Sequence, residues 1–323
     1  MYTLGITGPI SWNNAAALLK DGKLVAAAEE ERFTRLKFAP RVLPINAINF
    51  CLKTENITMD DVEQVAVGFA SPEKFMAKGY SVYLKSLRFY PFIKKNNYIS
   101  DPFEGIDAYI SYKQEMKKLV NTFKNNNISK KLIYVPHHEA HAASAYYVSG
   151  FKNANIISLD GRGESDSTIL ATGLNNKIET VKTYSVHNSL GNLYSAFTKY
   201  LGFKVHSDEG KVMGLSSYGK PIYDLNPIVK INKDGYEFSR NWYYEVGKLF
   251  DFTIRKKTDP ITEKHKNLAA SLQQTLDRVA VKLATVMHDE TGYKNFCLAG
   301  GVALNCDMNS KVLFQDFTEN IFI

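Results

Sequence analysis

The sequence predicts an α/β protein built from two homologous halves, and two observations carry that expectation. A unit of strand, glycine-rich turn and strand hairpin occurs at 3–31 and again at 156–185. A recurrence at a spacing of ~150 residues points to duplicated lobes rather than a short-repeat solenoid. Helical periodicity fills the stretches between strands, most clearly at Asn267–Thr291. Such a duplication implies a cleft between lobes, with ligands at the carboxyl ends of the strands.

The elements follow in order. Thr3–Thr7 and Ala15–Leu19 are apolar strands, and Asp21-Gly22 is a hairpin turn because both central positions need positive φ. Leu24–Ala28 is the third strand. Residues 44–53 form a short helix with Pro44 near N1, and Gln64–Phe69 is a strand. The segment 72–130 is polar and helical, broken near Pro91 and Pro102, and is expected to be an insertion packed on one side of the core. Lys131–Val135 is a strand, and Pro136 at N1 starts a helix over His137–Gly150. In the second half, Ile156–Asp160, Ser167–Gly173 and Lys177–Ser185 are strands, with a turn at Asn175-Asn176. Leu190–Leu201 is helical. Asn295–Ala299 is a strand that enters Gly300-Gly301 and a helix start at Val302–Asn309, and Asn320–Ile323 is strand-like. The first lobe is placed at 1–153 and the second at 154–323, the second incomplete at its C-terminus.

The 323 residues suffice for two lobes at about 100–200 residues per domain. Hydrophobic residues at 45% and charged residues at 23% exclude wholesale disorder. Cys51, Cys297 and Cys306 are too few and too scattered for a disulfide framework or a four-thiolate zinc site, and the last two read as small core residues. No basic-then-apolar leader opens the chain, and no apolar run reaches the ~18–20 residues of a membrane span, so a cytoplasmic setting is expected. The net charge of +7 invites a nucleic-acid partner, but its location argues against one. Residues 74–131 hold twelve Lys/Arg against four acids, a local +8 that leaves −1 for the rest. Those lysines read as solvated helix faces, with a docking face for an anionic partner as the alternative.

The sharpest chemical signal is His137-His138-Glu139-Ala140-His141. On a helix His137 and His141 share a face and can present two imidazoles to one metal, while His138 and His141 are a competing pair. The Glu is misplaced for a zincin motif, so it is not read as a general base. Asp160 ends an apolar strand and enters Gly161-Arg162-Gly163-Glu164. Its carboxylate can complete a two-imidazole, one-carboxylate set suited to iron first, with zinc or manganese as alternatives, or it can be the Asp of an ordinary hairpin turn. The glycines of that turn let backbone N–H groups approach phosphate. Two further glycine turns suit a nucleotide: Gly210-Lys211, where the ammonium can pair with phosphate, and Gly300-Gly301 at a helix start. Each alone is equally well a plain turn. Glu29-Glu30-Glu31 followed by Arg32, Arg35 and Lys37 is a charged-ligand site or a set of local ion pairs.

Together these motifs resemble the carbamoyltransferases of the NodU/CmcH/TobZ type. The matching pieces are Glu-Glu-Arg-Phe-Thr-Arg-Leu-Lys, Val-Pro-His-His-Glu-Ala-His-Ala-Ala-Ser-Ala, Leu-Asp-Gly-Arg-Gly-Glu, Asp-Glu-Gly-Lys-Val-Met-Gly-Leu and Leu-Ala-Gly-Gly-Val-Ala-Leu-Asn, in family order over 3–309. The resemblance implies duplicated ribonuclease-H-like lobes of the actin/hexokinase type, similar to the TsaD subunit of tRNA threonylcarbamoyladenosine synthesis. It implies that carbamoyl phosphate and ATP give carbamoyl-adenylate in a C-terminal YrdC-like domain, and that this part passes the carbamoyl group to a hydroxyl of a sugar or other small metabolite. By position, His137, His141 and Asp160 match the metal ligands, with Lys37 and Asp160 in catalytic roles. Asp160, Gly161, Arg162, Gly163, Glu164, Gly210, Lys211, Gly300, Gly301 and Asn305 match regions around the adenylate.

Two departures stand out. Ser11-Trp12-Asn13-Asn14 replaces the family's His-Asp or His-Asn, which shifts acceptor binding to Asn13 or Asn14. The family also continues past 320–323 to an Asp-Gly turn with a fourth metal ligand and then the YrdC-like domain. The chain is therefore expected to be truncated, with a separate YrdC-like domain or chain as partner, and a homodimer is compatible. The competing readings are a non-catalytic metal- or nucleotide-binding remnant, half of a split enzyme, and a TsaD-like role on tRNA.

Overall fold

The computed structural model describes residues 1–8, 13–40, 42–86 and 102–323. Two compact units divide the chain, Met1–Tyr83 with the described part of Ser100–Ala140 in one, and the described part of Leu84–Ile99 with His141–Ile323 in the other. The division falls after Ala140, inside a helix, rather than at the 153/154 boundary suggested by the sequence.

In the first unit β1 (Tyr2–Ile6), β2 (Ala15–Lys20) and β3 (Lys23–Glu29) form an antiparallel meander. Asp21 and Gly22 turn the β2–β3 hairpin at φ 50° and 77°, the positive values that an Asp-Gly turn supplies. Helix α1 (Ile45–Thr54) leads to β4 (Val62–Val67), which pairs parallel to β1. Helices α2 (Pro72–Ser86) and α3 (Pro102–Thr122) then precede β5 (Leu132–Tyr134), parallel to β4. The sheet order is β3-β2-β1-β4-β5.

Helix α3 packs on the core through one face and carries its lysines on the other. Tyr112, Met116 and Leu119, at helical spacing, are buried in the same core as Leu4, Ile48 and Val65. They make α3 part of the crossover that two parallel strands require. Lys113, Lys117 and Lys118 lie on the opposite face and are exposed, which accounts for part of the local positive charge. Arg88, Pro91, Lys94, Lys95 and Asp101 of that stretch lie outside the described residues.

Helix α4 (His137–Tyr146) leads into β6 (Asn153–Leu159), β7 (Asp166–Leu174) and β8 (Lys177–Ser185), a second antiparallel meander. The chain continues through α5 (Leu190–Tyr200), α6 (Glu209–Ser216), a hairpin of β9 (Val229–Asn232) and β10 (Gly235–Phe238), and α7 (Trp242–Leu249). The 29-residue α8 (Glu263–Thr291) then precedes β11 (Asn295–Ala299), α9 (Cys306–Leu313) and β12 (Asn320–Phe322). Strands β11 and β12 run parallel to β6, in the order β8-β7-β6-β11-β12. Taken from the hairpin inward, both sheets have three antiparallel strands followed by two parallel ones.

Both faces of β6 are covered, so its sequence is almost continuously apolar. Ile157 and Leu159 pack with Leu276 and Leu283 of α8, whereas Ala154 and Ile156 pack with Ala142, Ala145 and Tyr146 of α4. The β9–β10 hairpin and α7 are the elements that sequence patterning overlooks, because four-residue strands and an eight-residue helix are too short to show a period. The expected single helix over Val302–Asn309 is instead a 3-10 turn, Gly301–Leu304, followed by α9. Cys297 is buried as expected, but Cys306 is exposed, a correction to its placement in the core. Among the described residues no helix is long and apolar enough to cross a membrane.

Candidate functional site

The site is built on the carboxyl ends of β6 and β11, adjacent parallel strands paired through Ser158 and Ala299. Asp160 follows the last residue of β6, and its main-chain N–H donates to the Ser167 carbonyl at 2.8 Å. Its Oδ1 accepts the Gly161 N–H at 2.7 Å, which leaves Oδ2 facing the His141 ring 3.2 Å from Nε2. Both side chains are half-buried, at 28% and 22% exposure, so the pair is partly shielded and still reachable.

His141 is held by α4, which is rich in the strong helix former alanine at 140, 142, 143 and 145. The Pro136 carbonyl accepts from Ala140 N–H, so Pro136 precedes the helix rather than occupying its first position. His137 sits one turn before His141 on this single helix, its ring against Phe69 and its Nδ1 3.4 Å from the Gly68 carbonyl. One candidate ligand atom from each of His137, His141 and Asp160 can be chosen so that all lie within 4.8 Å of one another. His138, the competing partner, is 4% exposed and is not in that group. Two imidazoles and a carboxylate at this separation could hold a metal ion.

Gly300 and Gly301 press against the Asp160 turn. Gly300 has φ 89°, and a Cβ there would meet the Leu159 carbonyl oxygen at 2.3 Å; one on Gly301 would lie 2.9 Å from Asp160 Oδ1. Only glycine allows this approach. The Gly301 N–H has no acceptor among the described residues, so it is open to an anion. The 161–163 turn differs from the expectation that its glycine N–H groups approach phosphate. Gly161 N–H is taken by Asp160, and Gly163 N–H donates to the Asp166 carbonyl at 2.8 Å. Arg162 is half-buried in that turn, and Glu164 is buried at 3% exposure.

Three residues that motif reasoning passed over complete the seat. Ser189 is fully buried, donates from Oγ to the Gly161 carbonyl at 2.7 Å, and caps α5 by accepting from Asn192 N–H at 3.0 Å. Gly191 lies so close that a Cβ on it would meet Gly161 Cα at 2.7 Å. A Cβ on Gly161 would in turn lie 3.8 Å from Asn192 Oδ1. The visible signal was Ser-Leu-Gly-Asn at a helix start, a cap beside a glycine.

Other expected site residues are placed differently. Gly210 and Lys211 are not a turn: they lie in the first turn of α6, and Lys211 Nζ pairs with Asp208 Oδ1 at 2.8 Å. The helix formers around Gly210 outweigh one glycine there. Asn305 is buried; its Oδ1 caps α9 by accepting from Met308 N–H, and its carboxamide exchanges hydrogen bonds with Gln273 at 2.8 and 3.0 Å. Asn14 is also buried, donating Nδ2 to the Ala39 carbonyl at 2.8 Å and accepting from Thr7 at 3.1 Å, so its side chain braces the fold. Asn13 is exposed beside it.

Lys37 is exposed in a turn that also contains Phe38 and Ala39 at φ 67° and 40°, with its Nζ 4.8 Å over the Phe38 ring. The acid run preceding it has separate tasks. Glu30 is buried and accepts from Ala47 N–H at 2.9 Å and from the Asn46 carboxamide at 2.6 Å, at the start of α1. Glu31 accepts from the Phe38 N–H, and Glu29 pairs with Arg32 at 2.9 Å.

Residues 3–323 match the family described as carbamoyltransferase N-terminus. An uncharacterised protein of Synechocystis sp. is 34% identical over 333 residues, 96% of this chain and 52% of that protein. Nodulation protein NolNO of Sinorhizobium fredii is 32% identical over 328 residues, 99% of this chain and 45% of its own length. The chain thus spans about half the length of the curated relatives it matches. Among solved structures, full-length HypF in the phosphate- and nucleotide-bound form is similar at a TM-score of 0.56 and 13% identity, over 99% of this chain and 43% of that one. That likeness shows the ribonuclease-H-like fold. On the family match over the whole chain, the protein belongs to the carbamoyltransferases, as a member of their N-terminal domain family.

Proposed function

We propose that this chain is the acceptor-side domain of an O-carbamoyltransferase, moving a carbamoyl group from carbamoyl-adenylate to a hydroxyl of a sugar or other small metabolite. The adenylate would come from carbamoyl phosphate and ATP on a YrdC-like domain or chain, in a cytoplasmic setting. The observation that carries the reading is the His137, His141, Asp160 group, two imidazoles from one helix and a carboxylate at the end of β6 beside the Gly300-Gly301 turn. Two imidazoles with one carboxylate fit iron, zinc or manganese. When bound, such an ion supplies positive charge beside carbonyl or phosphate oxygens.

The chain's own residues have complementary tasks. Asp160 holds the His141 ring in place, and the Gly161 N–H fixes the carboxylate's orientation. Gly301 N–H offers a donor to a phosphate oxygen, and Lys37 supplies an exposed ammonium as the second catalytic group. Asn13, not the buried Asn14, is left to face an acceptor.

Purified protein should contain a divalent metal that His141→Ala loses, and equal metal content in both would overturn the ligand assignment. Carbamoyl transfer to a sugar hydroxyl, fed by carbamoyl phosphate, ATP and a YrdC-like domain, should disappear in Asp160→Asn. Undiminished transfer in that variant would remove Asp160 from the mechanism.

A further inference from the structure

The second unit contains a charged cavity of about 710 Å³ whose walls include Gly202, Lys204, Asp208, Lys211, Arg255 and Lys257. Its distinguishing group is Arg255, only 8% exposed. The guanidinium is gripped by main-chain carbonyls: Nε donates to Leu201 at 2.7 Å, and Nη1 donates to Lys256 at 3.1 Å and Asp259 at 2.5 Å. Its carbon lies 5.4 Å over the Phe203 ring. These contacts orient the cation without neutralising it, and among the described residues no carboxylate pairs with it. A buried positive charge left in that state is costly until an anion compensates it.

Nη2 has no acceptor among the described residues, and it is not one of the nitrogens sealed from solvent without a partner. It sits beside Gly202, where a Cβ would lie 3.4 Å away. Gly202 has φ 75°, and its Cβ would strike the Arg255 carbonyl oxygen at 2.2 Å, so the residue must stay glycine and the approach to Nη2 stays open.

The remaining charges in the wall point the same way. Asp208 is occupied by Lys211 at 2.8 Å and by the Lys204 N–H at 3.0 Å. Asp259 Oδ2 accepts the Lys256 N–H at 2.9 Å. The ammonium groups of Lys204 and Lys257 meet no carboxylate among the described residues. Four cations therefore face two carboxylates that are already engaged. Nearby His265 has its basicity lowered, first by burial and next by the Arg255 charge.

This cavity is separate from the Asp160 turn. Ser189, capping the start of α5, touches the Gly161 carbonyl, whereas Gly202 lies just beyond the other end of that helix. The 11 residues of α5, at about 1.5 Å rise each, put roughly 16 Å between them. We propose that the cavity binds a phosphate group, with Arg255 Nη2 and the Lys204 and Lys257 ammonium groups as donors. Arg and Lys together suit an oxyanion carrying two negative charges. The proposal does not depend on the carbamoyl-transfer reading.

The test is thermal denaturation of the purified chain at constant ionic strength. Inorganic phosphate at about a hundredfold excess over its Kd should raise Tm by roughly 4 °C. Arg255 is left intact because its carbonyl bonds hold the loop; Lys204→Gln with Lys257→Gln changes only exposed side chains. That double variant should bind phosphate at least ~10-fold more weakly, whereas His141→Ala should keep the wild-type shift. Glucose 6-phosphate in parallel separates the sources: tighter binding than inorganic phosphate assigns a phosphate ester, equal binding free phosphate. No shift, or an undiminished shift in the double variant, would overturn the proposal. So would loss of the shift in His141→Ala, which would place the phosphate at the Asp160 turn.

Discussion

Replacing Gly191 with alanine tests whether the Asp160 turn is a fitted seat. The new Cβ would lie 2.7 Å from both Cα and N of Gly161 and 3.0 Å from the Asp160 carbonyl carbon. Ordinary contact begins at 3.4 Å, so turn and helix must separate by about 0.7 Å. All three neighbours are backbone atoms, so no flexible side chain can give way. Alanine gains up to ~1 kcal/mol of helix propensity. Overpacking costs ~1–3 kcal/mol, for a net loss of ~0–2 kcal/mol and a Tm drop of at most ~3 °C. The site should suffer more than the fold. Metal–ligand distances tolerate only ~0.2 Å, so moving Asp160 away from His141 should weaken zinc binding by ~10-fold or more. Competition with a chromogenic zinc chelator measures this directly. Gly210→Ala is the control, because nothing lies within 4 Å of its Cβ. If Gly191→Ala binds zinc within twofold of the wild type, the fitted-seat argument fails.

Gly300→Ala combines φ 89° with the Leu159 carbonyl at 2.3 Å and should cost ~3 kcal/mol or more, read from urea denaturation. Asn14→Ala removes the brace to Thr7 and Ala39 and should cost ~1–3 kcal/mol by the same assay; a neutral effect would return Asn14 to acceptor binding. Burial raises the Asp277 carboxyl above its ordinary value of 3.8, so the folded state holds that proton more tightly than the unfolded one. Its contribution to stability is therefore present at low pH and lost as pH rises through the folded value. Asp277→Asn should accordingly gain stability at pH 7 relative to pH 4, and denaturation at both pH values checks the sign. Burial also pushes the Cys297 thiol to about 11 and raises Cys51, while Cys306 is exposed. Iodoacetamide should thus label Cys306 alone in the native protein, as peptide mapping would show.

Local sequence determined the strands and their turns. Asp21-Gly22 and Asn175-Asn176 adopt the positive φ that their residue types allow, and apolar runs separated by such turns define both meanders. The pairing of His137 with His141 was equally legible, because helix geometry puts residues four apart on one face. Tertiary structure decided what depends on contacts distant in sequence. It brought Asp160, 19 residues after His141, to within reach of that helix, where one candidate ligand atom from each of His137, His141 and Asp160 lies within 4.8 Å of the others. It assigned Glu30, Asn14 and Asn305 to internal hydrogen bonds, which no motif reveals because the same atoms serve a ligand equally well. It also decided which residues of the basic stretch are buried: Tyr112 and Leu119 lie in a core, while Lys113, Lys117 and Lys118 of the same helix are exposed. One side of a helix can be basic while the other is buried, and only the partner surface decides which side governs its place in the fold.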